Sequence, residues 1–248
     1  MKIAWNRVIL TVIILGMIIW LTVALFSGRQ KEFICNGVNI VMENDGKLVT
    51  CDDVRDIIKE SRILGIGKPV YGSDLKKLEE LLSSKSYLTN VRIKNTSNGV
   101  VNVIFRQRVP AVILSDCNGD LFYLDSEAYL FPMSKKKAYD VPLVAVKLQI
   151  TKKGKMAKDS LFAYRLLDFI GFVSKNSFWN KRVRQLEIDK NENMVFTDCS
   201  DSICIRFGEM TKYEEKMNSL QTFYTKIKPQ EKYKIIDLRF NKRIVAVK

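Results

Sequence analysis

The sequence predicts an α+β protein in three parts: a single N-terminal transmembrane helix, a β-α-α-β-β unit, and a β-rich α+β domain. Three observations support this division. Val8 to Phe26 is an uncharged apolar run. Two amphipathic segments and a hairpin pattern lie between residues 33 and 108, and short alternating segments dominate from 109 to 248. The full length of 248 residues exceeds one typical domain of about 100–150 residues, so two modest domains after a helix are a reasonable division.

The apolar run has the length of a membrane span. As a helix it would extend for about 28 Å, close to the roughly 30 Å hydrocarbon core of a bilayer. Lys2 and Arg7 precede the run, which also suits a cleaved signal peptide, but signal peptides have shorter apolar regions and Ala24–Phe26 offers no small-residue cleavage site. Arg29 and Lys31 on the other flank leave the positive-inside rule almost balanced. We therefore expect an uncleaved helix over 8–26, with little indication of its orientation from charge.

The region 33–108 has the pattern strand, helix, helix, strand, strand, beginning at Val38–Met42. Thr50 and Asp53 form a capping box that predicts the start of the first helix. Leucines at helical spacing predict a second helix after Ser73. Alternating strands flank Asn98–Gly99, a pair suited to the two positive φ angles of a type I′ turn. The sequence therefore predicts a hairpin with that turn.

Residues 109–248 predict short strands with two interrupting helices. One helix is expected from Lys158 to Ser174, and the other begins at a Thr211–Glu214 capping box and stops at Pro229. The predicted strands cover 111–114, 121–124, 129–131, 143–148, 186–188, 194–196, 203–207, 235–238 and 244–247. This composition favours an α+β domain dominated by β-structure.

Composition argues against an enzyme. The chain has no histidine, which removes Ser-His, Cys-His and histidine-metal arrangements together. Gly65–Lys68 lacks the first glycine of a phosphate-binding loop, and Pro69 stands where its Ser or Thr would be. We expect no cofactor, metal or small-molecule substrate.

The net charge of +14 favours anionic neighbours, whether lipid headgroups, wall polymers, nucleic acid or an acidic protein. The alternative is a solvated basic surface with no dedicated ligand. The Lys135–Lys137 run has no interleaved aromatic residues, so nucleic acid is not an expected partner.

Five cysteines are present, with no C-x-x-C spacing, so a four-cysteine zinc site is not predicted. Two interpretations of Cys199 and Cys204 stay open: a disulfide across a turn in an oxidising compartment, or reduced thiols that pack as small apolar groups.

Four segments together span most of the chain after residue 33: Tyr87–Val91, Arg108–Ala111, Tyr123–Pro132 and Ile236–Phe240. Each resembles a segment of the FtsQ/DivIB family of bacterial cell-division proteins. Tyr87–Val91 is similar to the stretch that opens the second strand of that family's POTRA domain, and Arg108–Ala111 resembles the R-x-P-x-A domain junction. Tyr123–Pro132 and Ile236–Phe240 are similar to the segments Y-x-L-D-x-x-G-x-x-F-P and I-D-L-R-[FY]. Ala128 departs from the usual glycine, so the turn after Asp125 is expected to differ.

The resemblance implies a non-enzymatic, single-pass scaffold of the division complex. It implies a cytoplasmic stub over 1–7, a transmembrane helix over 8–26, a POTRA domain over 33–108 and an FtsQ-type β domain over 109–248, with Arg108 and Pro110 at the junction. The protein would be a type II protein of the cytoplasmic (inner) membrane, with its bulk outside the cytoplasm, located at the septum. There it would link early and late division proteins and bind the coiled-coil partners FtsB and FtsL to regulate septal wall synthesis.

The expected binding mode is β-augmentation, in which a partner segment adds a strand to an exposed sheet edge. We expect this edge at 240–247, with Arg239 beside it. The backbone would give affinity. Selection of an acidic, partly apolar partner would come from Arg239 and Arg243 and from the side chains of Phe240, Ile244 and Ala246. The candidate residues are Arg239, Phe240, Asn241, Arg243, Ile244, Val245, Ala246 and Val247. The alternative is an ordinary closing strand of the core.

Two other functions fit less well. A membrane-anchored POTRA component of protein export or envelope assembly would normally carry more POTRA copies or a β-barrel. An anchored wall enzyme would need a catalytic set that the sequence lacks.

Overall fold

A computed structural model describes residues 2–26, 32–133, 139–147, 150, 154–155, 161–227, 233–240 and 243–248. The helices are α1 (Lys2–Phe26), α2 (Cys51–Ser61), α3 (Gly72–Ser83), α4 (Leu161–Lys175) and α5 (Tyr213–Ile227). The strands are β1 (Phe33–Ile34), β2 (Gly37–Met42), β3 (Pro69–Val70), β4 (Leu88–Asn95), β5 (Val100–Gln107), β6 (Pro110–Ser115), β7 (Leu121–Asp125), β8 (Tyr129–Pro132), β9 (Leu143–Val146), β10 (Gly154–Lys155), β11 (Val183–Ile188), β12 (Met194–Asp198), β13 (Cys204–Gly208), β14 (Ile235–Asp237) and β15 (Val245–Val247). The predicted Lys135–Lys137 run, Pro229 and Asn241 lie outside the described residues.

The predicted transmembrane helix over 8–26 is corrected by the structure. Within the described part of the chain, no helix combines the length and the apolarity needed to cross a bilayer.

The β-α-α-β-β order predicted for the N-terminal domain (33–108) is present as β2-α2-α3-β4-β5. Two short strands that were not predicted, β1 and β3, pair with each other. Its three-stranded sheet has the order β2-β5-β4, with β2 parallel and β4 antiparallel to β5. Helices α2 and α3 cover one face because Val54, Ile58, Leu78 and Leu82 turn their apolar side chains onto it. The buried partners on the sheet are Leu88, Val91, Val101, Val103 and Phe105.

Local signals set the helix starts of this domain. The predicted capping box is confirmed: Thr50 Oγ1 accepts from Asp53 N at 3.2 Å, and Asp53 Oδ2 accepts from Thr50 N at 2.8 Å. Helix α3 begins at Gly72, slightly earlier than predicted, and Asp74 Oδ2 accepts from Tyr71 N at 3.1 Å. Each bond satisfies an amide that a helix start would leave without a partner.

The β4–β5 hairpin is confirmed, but the predicted type I′ turn is wrong. Only Gly99 of the predicted pair has a positive φ, of 78°. Thr96 N donates to Val100 O, and Gly99 N donates to Thr96 O, which gives a three-residue loop ending in a left-handed glycine. Asn36 Nδ2 donates to Asn98 O at 2.7 Å and holds this loop against the start of the domain. That contact is distant in sequence, so the dipeptide alone does not reveal it.

Replacing Gly99 with alanine should destabilise the protein by about 2–3 kcal/mol, since a left-handed non-glycine residue costs about 1–2 kcal/mol and the new methyl adds overpacking. The added Cβ would lie 2.3 Å from the backbone oxygen of Ile34. Gly119→Ala is the matched control, because Gly119 has a φ of 82° and open space around its Cα. Urea unfolding of both variants measures the difference. An equal loss of unfolding free energy in the two variants would show that the close approach to Ile34 contributes nothing.

The C-terminal domain (109–248) is built on a ten-stranded sheet of order β10-β8-β7-β6-β9-β11-β12-β13-β14-β15. Helices α4 and α5 pack on one face, where Leu166, Phe169, Ile170 and Val173 of α4 are buried. Three pairs are parallel, namely β6–β9, β9–β11 and β13–β14. The predicted strands over this region are present with small shifts at their ends. Leu148, at the end of one predicted strand, and Lys158, at the start of the predicted helix, lie outside the described residues.

The predicted capping box at Thr211 is wrong. Thr211 Oγ1 contacts Glu209 Oε2 instead, and α5 begins at Tyr213 after Lys212, which has a φ of 50°. The five cysteines are free thiols, including Cys199 and Cys204.

Candidate partner-binding edge

Strand β15 is the last strand of the ten-stranded sheet. It pairs antiparallel with β14, with Ala246 opposite Ile236. No other described strand lies on its second side. The final predicted strand therefore sits where backbone groups are available to a further strand.

The hydrogen bonds of β14 show which groups of β15 face outward. Cys204 N donates to Lys234 O, and Leu238 N donates to Arg206 O, so alternate residues of β14 bond to β13. The intervening Ile235 and Asp237 therefore direct their backbone groups to β15, where Val247 and Val245 are opposite them. Ala246, between these two, directs its N–H and C=O away from β14. Its amide is thus the centre of the open edge.

The side chains of this strand divide between two faces. Ile244 and Ala246 are partly buried against the main core, so they are held by the domain itself. Val245 and Val247 are exposed by 41% and 48%, and Phe240 by 53%. The apolar side chains presented outward are therefore Phe240, Val245 and Val247.

Arg239 is bound within its own domain. Its Nε lies 2.9 Å from Asp237 Oδ1 and its Nη2 lies 2.6 Å from Asp237 Oδ2, a two-pronged ion pair. These bonds hold the pKa of the Asp237 carboxyl below its usual value. Arg243 is exposed and forms no ion pair within the described part of the chain. Of the two predicted cations, Arg243 is the one that is open to a partner.

The Asp237–Arg239 pair predicts acid sensitivity. Because the folded-state pKa of Asp237 is lowered, the pair stabilises the fold above the unfolded-state pKa, near 3.8, and this contribution is lost as the pH falls through the folded-state pKa. Asp237→Asn should remove about 1–2 kcal/mol at neutral pH and less in acid. Urea unfolding at several pH values tests this, with Asp140→Asn, at an exposed ion pair, as control. A variant loss that is the same at all pH values would contradict it.

A cleft of about 720 Å³ adjoins the edge. One wall is the segment that leads into β15, and the other is the start of α5 with the end of β13. Lys216 fixes the second wall, since its Nζ donates to Phe207 O at 3.0 Å and to Glu209 O at 2.8 Å. Burial lowers the pKa of this lysine. The lining includes Glu209, Thr211, Lys212, Glu215, Lys216, Arg239, Phe240, Arg243 and Ile244.

Sequence reasoning missed this cleft because its two walls are distant along the chain. The charged residues at the start of α5 were the one available signal, but they are also typical of any solvated helix end.

The predicted junction residues tie the two domains together. Arg108 Nη1 donates to Asp125 Oδ2 at 2.7 Å, and the guanidinium lies 3.6 Å from the centre of the Tyr129 ring. Pro110 is buried and opens β6 opposite Asp125. The expected difference in the turn after Asp125 is wrong: the turn is tight, with Ala128 N donating to Asp125 O at 3.1 Å. Ala128 adopts a φ of 58°, the left-handed conformation that suits glycine.

A second set of bonds crosses the junction. The buried Gln107 accepts from Leu48 N and Val49 N at 3.1 Å each through Oε1, and its Nε2 donates to the Tyr139 hydroxyl at 3.1 Å. The same hydroxyl accepts from Lys47 N at 2.9 Å. Tyr139 belongs to the C-terminal domain, so this network fixes the N-terminal domain to it.

Two family models match this chain. The family described as "FtsQ/DivIB, C-terminal related" matches residues 89–247, and the POTRA-like domain family matches residues 33–105. No curated protein matches the chain. Among the solved structures that match is POTRA1-2 of the periplasmic domain of Omp85 from Anabaena, at 13% identity and a TM-score of 0.29; the match covers 35% of this chain and 54% of that one. The two matches overlap over residues 89–105. Since the first match covers more than half of the chain, the protein belongs to the FtsQ/DivIB family.

Proposed function

We propose that this protein is a non-enzymatic scaffold of the bacterial division complex. It acts at the division site, links early and late division proteins, and binds FtsB- and FtsL-like partners to regulate septal wall synthesis. The observation that carries the proposal is the open edge of β15, which lies inside the region matched by the FtsQ/DivIB family. Both matched families comprise docking and scaffold domains rather than catalytic ones.

The binding mode we propose is addition of a partner strand to β15. The outward N–H and C=O of Ala246 supply main-chain hydrogen bonds, and those bonds give affinity whatever the partner's sequence. Because β15 is short, with three residues, one added strand would gain few bonds from it alone. The adjoining cleft extends the contact area toward α5.

Side chains at this edge would select the partner. Val245 and Val247 offer an apolar surface on the face opposite the core, and Phe240 continues it toward the cleft. Arg243 adds a positive charge that no described carboxylate neutralises. The matching segment is an extended strand with apolar residues and an acidic residue near Arg243. An exposed charge of this kind acts mainly on the association rate and its salt dependence.

Depletion of the protein in its native host tests the division role. We expect long cells with segregated nucleoids and no septa, because a scaffold that links division proteins is needed before the septal wall is made. Microscopy of cell length, DNA and septa measures this. Cells that divide normally but assemble envelope proteins poorly would overturn the proposal and favour the export function.

A further inference from the structure

One face of the POTRA-like domain carries no helix. Val38, Ile40, Val101, Val103 and Ile93 pack into the core beneath α2 and α3. Because side chains alternate along a strand, the intervening residues lie on the opposite face. That face, here called the helix-free face, consists of Asn39, Val41, Glu43, Arg92, Lys94, Asn102, Ile104 and Arg106.

Strand register places these residues in rows across the sheet. Val41, Ile104 and Arg92 form one row, because Ile104 is opposite both of the others. Asn39, Asn102 and Lys94 form the next row in the same way. Neighbouring strands are about 4.8 Å apart, so each row is a set of adjacent side chains. Val41 and Ile104 therefore form a small apolar centre with cations beside it.

The charges on this face are unbalanced. Arg92, Lys94 and Arg106 are exposed, and Glu43 is the single carboxylate of the set. Glu43 forms its ion pair with Arg92. Within the described part of the chain, Lys94 and Arg106 have no ion-pair partner. The excess positive charge is thus local to this face and borders the apolar centre.

Polar groups on the face offer specificity as well. Asn39 Nδ2 donates to Asn102 Oδ1 at 3.1 Å, which leaves the remaining amide groups of the pair on the surface. Val41 is 41% exposed although it is β-branched and apolar. A polyanion would use only the cations, whereas a protein segment with acidic and apolar residues would also cover Val41 and Ile104.

We propose that the helix-free face binds an acidic protein segment with interspersed apolar side chains, supplied by a partner. This surface lies in a different domain from the β15 edge and does not depend on it. It gives the scaffold a second binding site, so that two partner segments can be held by one chain.

Fluorescence anisotropy with the full-length chain tests the proposal. The probe is a labelled peptide of alternating glutamate and valine, compared with a peptide of alternating glutamate and serine. We expect the glutamate-valine peptide to bind about tenfold more tightly, because only it covers the apolar centre. Equal affinity would show general polyanion attraction and would overturn the proposal.

Two variants locate the binding. Replacing Arg92, Lys94 and Arg106 together with glutamate should weaken binding of the glutamate-valine peptide at least about tenfold. The matched control replaces Lys59, Lys76 and Lys77 with glutamate. These lysines lie at exposed positions of α2 and α3, so the affinity should stay within about twofold. Equal losses in both would overturn the proposal.

Val41→Ser with Ile104→Ser provides a second test that keeps every charge. This variant should also lower the affinity for the glutamate-valine peptide, by about fivefold, since it removes apolar contact area alone. Unchanged affinity in a variant with normal circular dichroism would overturn the proposal. The titrations are repeated in chains that also carry Ala246→Pro, where the β15 edge cannot add a strand. The same order of affinities there assigns the binding to the helix-free face, so failure at the β15 edge and failure at this face are distinguishable.

Discussion

Replacing Ala246 with proline should abolish binding of an FtsB-like partner while the protein stays folded. The outward direction of the Ala246 amide means that proline removes a donor that β14 does not use. Proline is tolerated on edge strands where the N–H faces solvent. Loss of this central hydrogen bond and the clash of the ring with an added strand should weaken the complex at least about tenfold. Co-purification from cells that express both proteins, followed by titration, measures the loss.

Two controls separate the amide from the side chain. Ala246→Val keeps the N–H and should retain most of the affinity. Ile244→Pro should also abolish capture, but Ile244 packs against the core, so part of its effect will be a loss of stability. If the Ala246→Pro protein binds its partner as well as the unaltered chain does, strand addition at this edge is excluded.

Replacing Asp198 with alanine should destabilise the C-terminal domain by about 1.5–3 kcal/mol, because it removes a buried, charged hydrogen bond. Arg182 Nη1 would then keep only its bond to Asp201 Oδ2, at 2.6 Å. Asp198 is 0% exposed, and its Oδ2 accepts from Arg182 Nη1 at 2.9 Å. Its Oδ1 accepts from Ser200 N at 2.8 Å, so the variant also frees an amide of the β12–β13 turn. The Arg182 guanidinium also lies over the rings of Phe178 and Tyr224. Tyr224 is in α5, so Arg182 links the β12–β13 turn to that helix.

Asp140→Ala is the control for this prediction. Asp140 pairs with Arg184, two residues from Arg182, but its side chain is 92% exposed. Exposed ion pairs contribute about 0–1 kcal/mol, so this variant should unfold close to the unaltered protein in urea. A small effect at Asp198, similar to that at Asp140, would mean that water reaches the Arg182 site freely.

The N-terminal domain could be predicted from sequence because its signals are local. The Thr50–Asp53 capping box and the leucines of α3 act within one or two helical turns, and both are present. The prediction of a type I′ turn at Asn98–Gly99 was wrong. Asn36, far away in sequence, bonds to Asn98 there, and no local pattern reveals that contact. The prediction of a capping box at Thr211 was wrong because Lys212 takes a left-handed conformation before α5 begins at Tyr213.

The candidate edge was only partly predictable. Strand alternation indicates where β15 lies, but not which face packs on the core, and the structure directs Ile244 and Ala246 inward. The neighbouring Asp237 engages Arg239, a local pair that the sequence contains but does not require. The cleft beside the edge depends on the contact of α5 with the segment before β15, which no local pattern encodes. The parallel pairing of β13 with β14 is likewise long-range.

Amide hydrogen exchange at Ala246, measured by NMR on the purified chain with and without a saturating FtsB-like partner, tests the central claim most directly. Strand addition predicts that the Ala246 amide exchanges quickly in the free chain and slowly in the complex. The amides of Val245 and Val247 should be protected in both states, because they face β14. A partner that binds fully while the Ala246 amide still exchanges at its free rate would contradict the account and place the interface elsewhere on the domain.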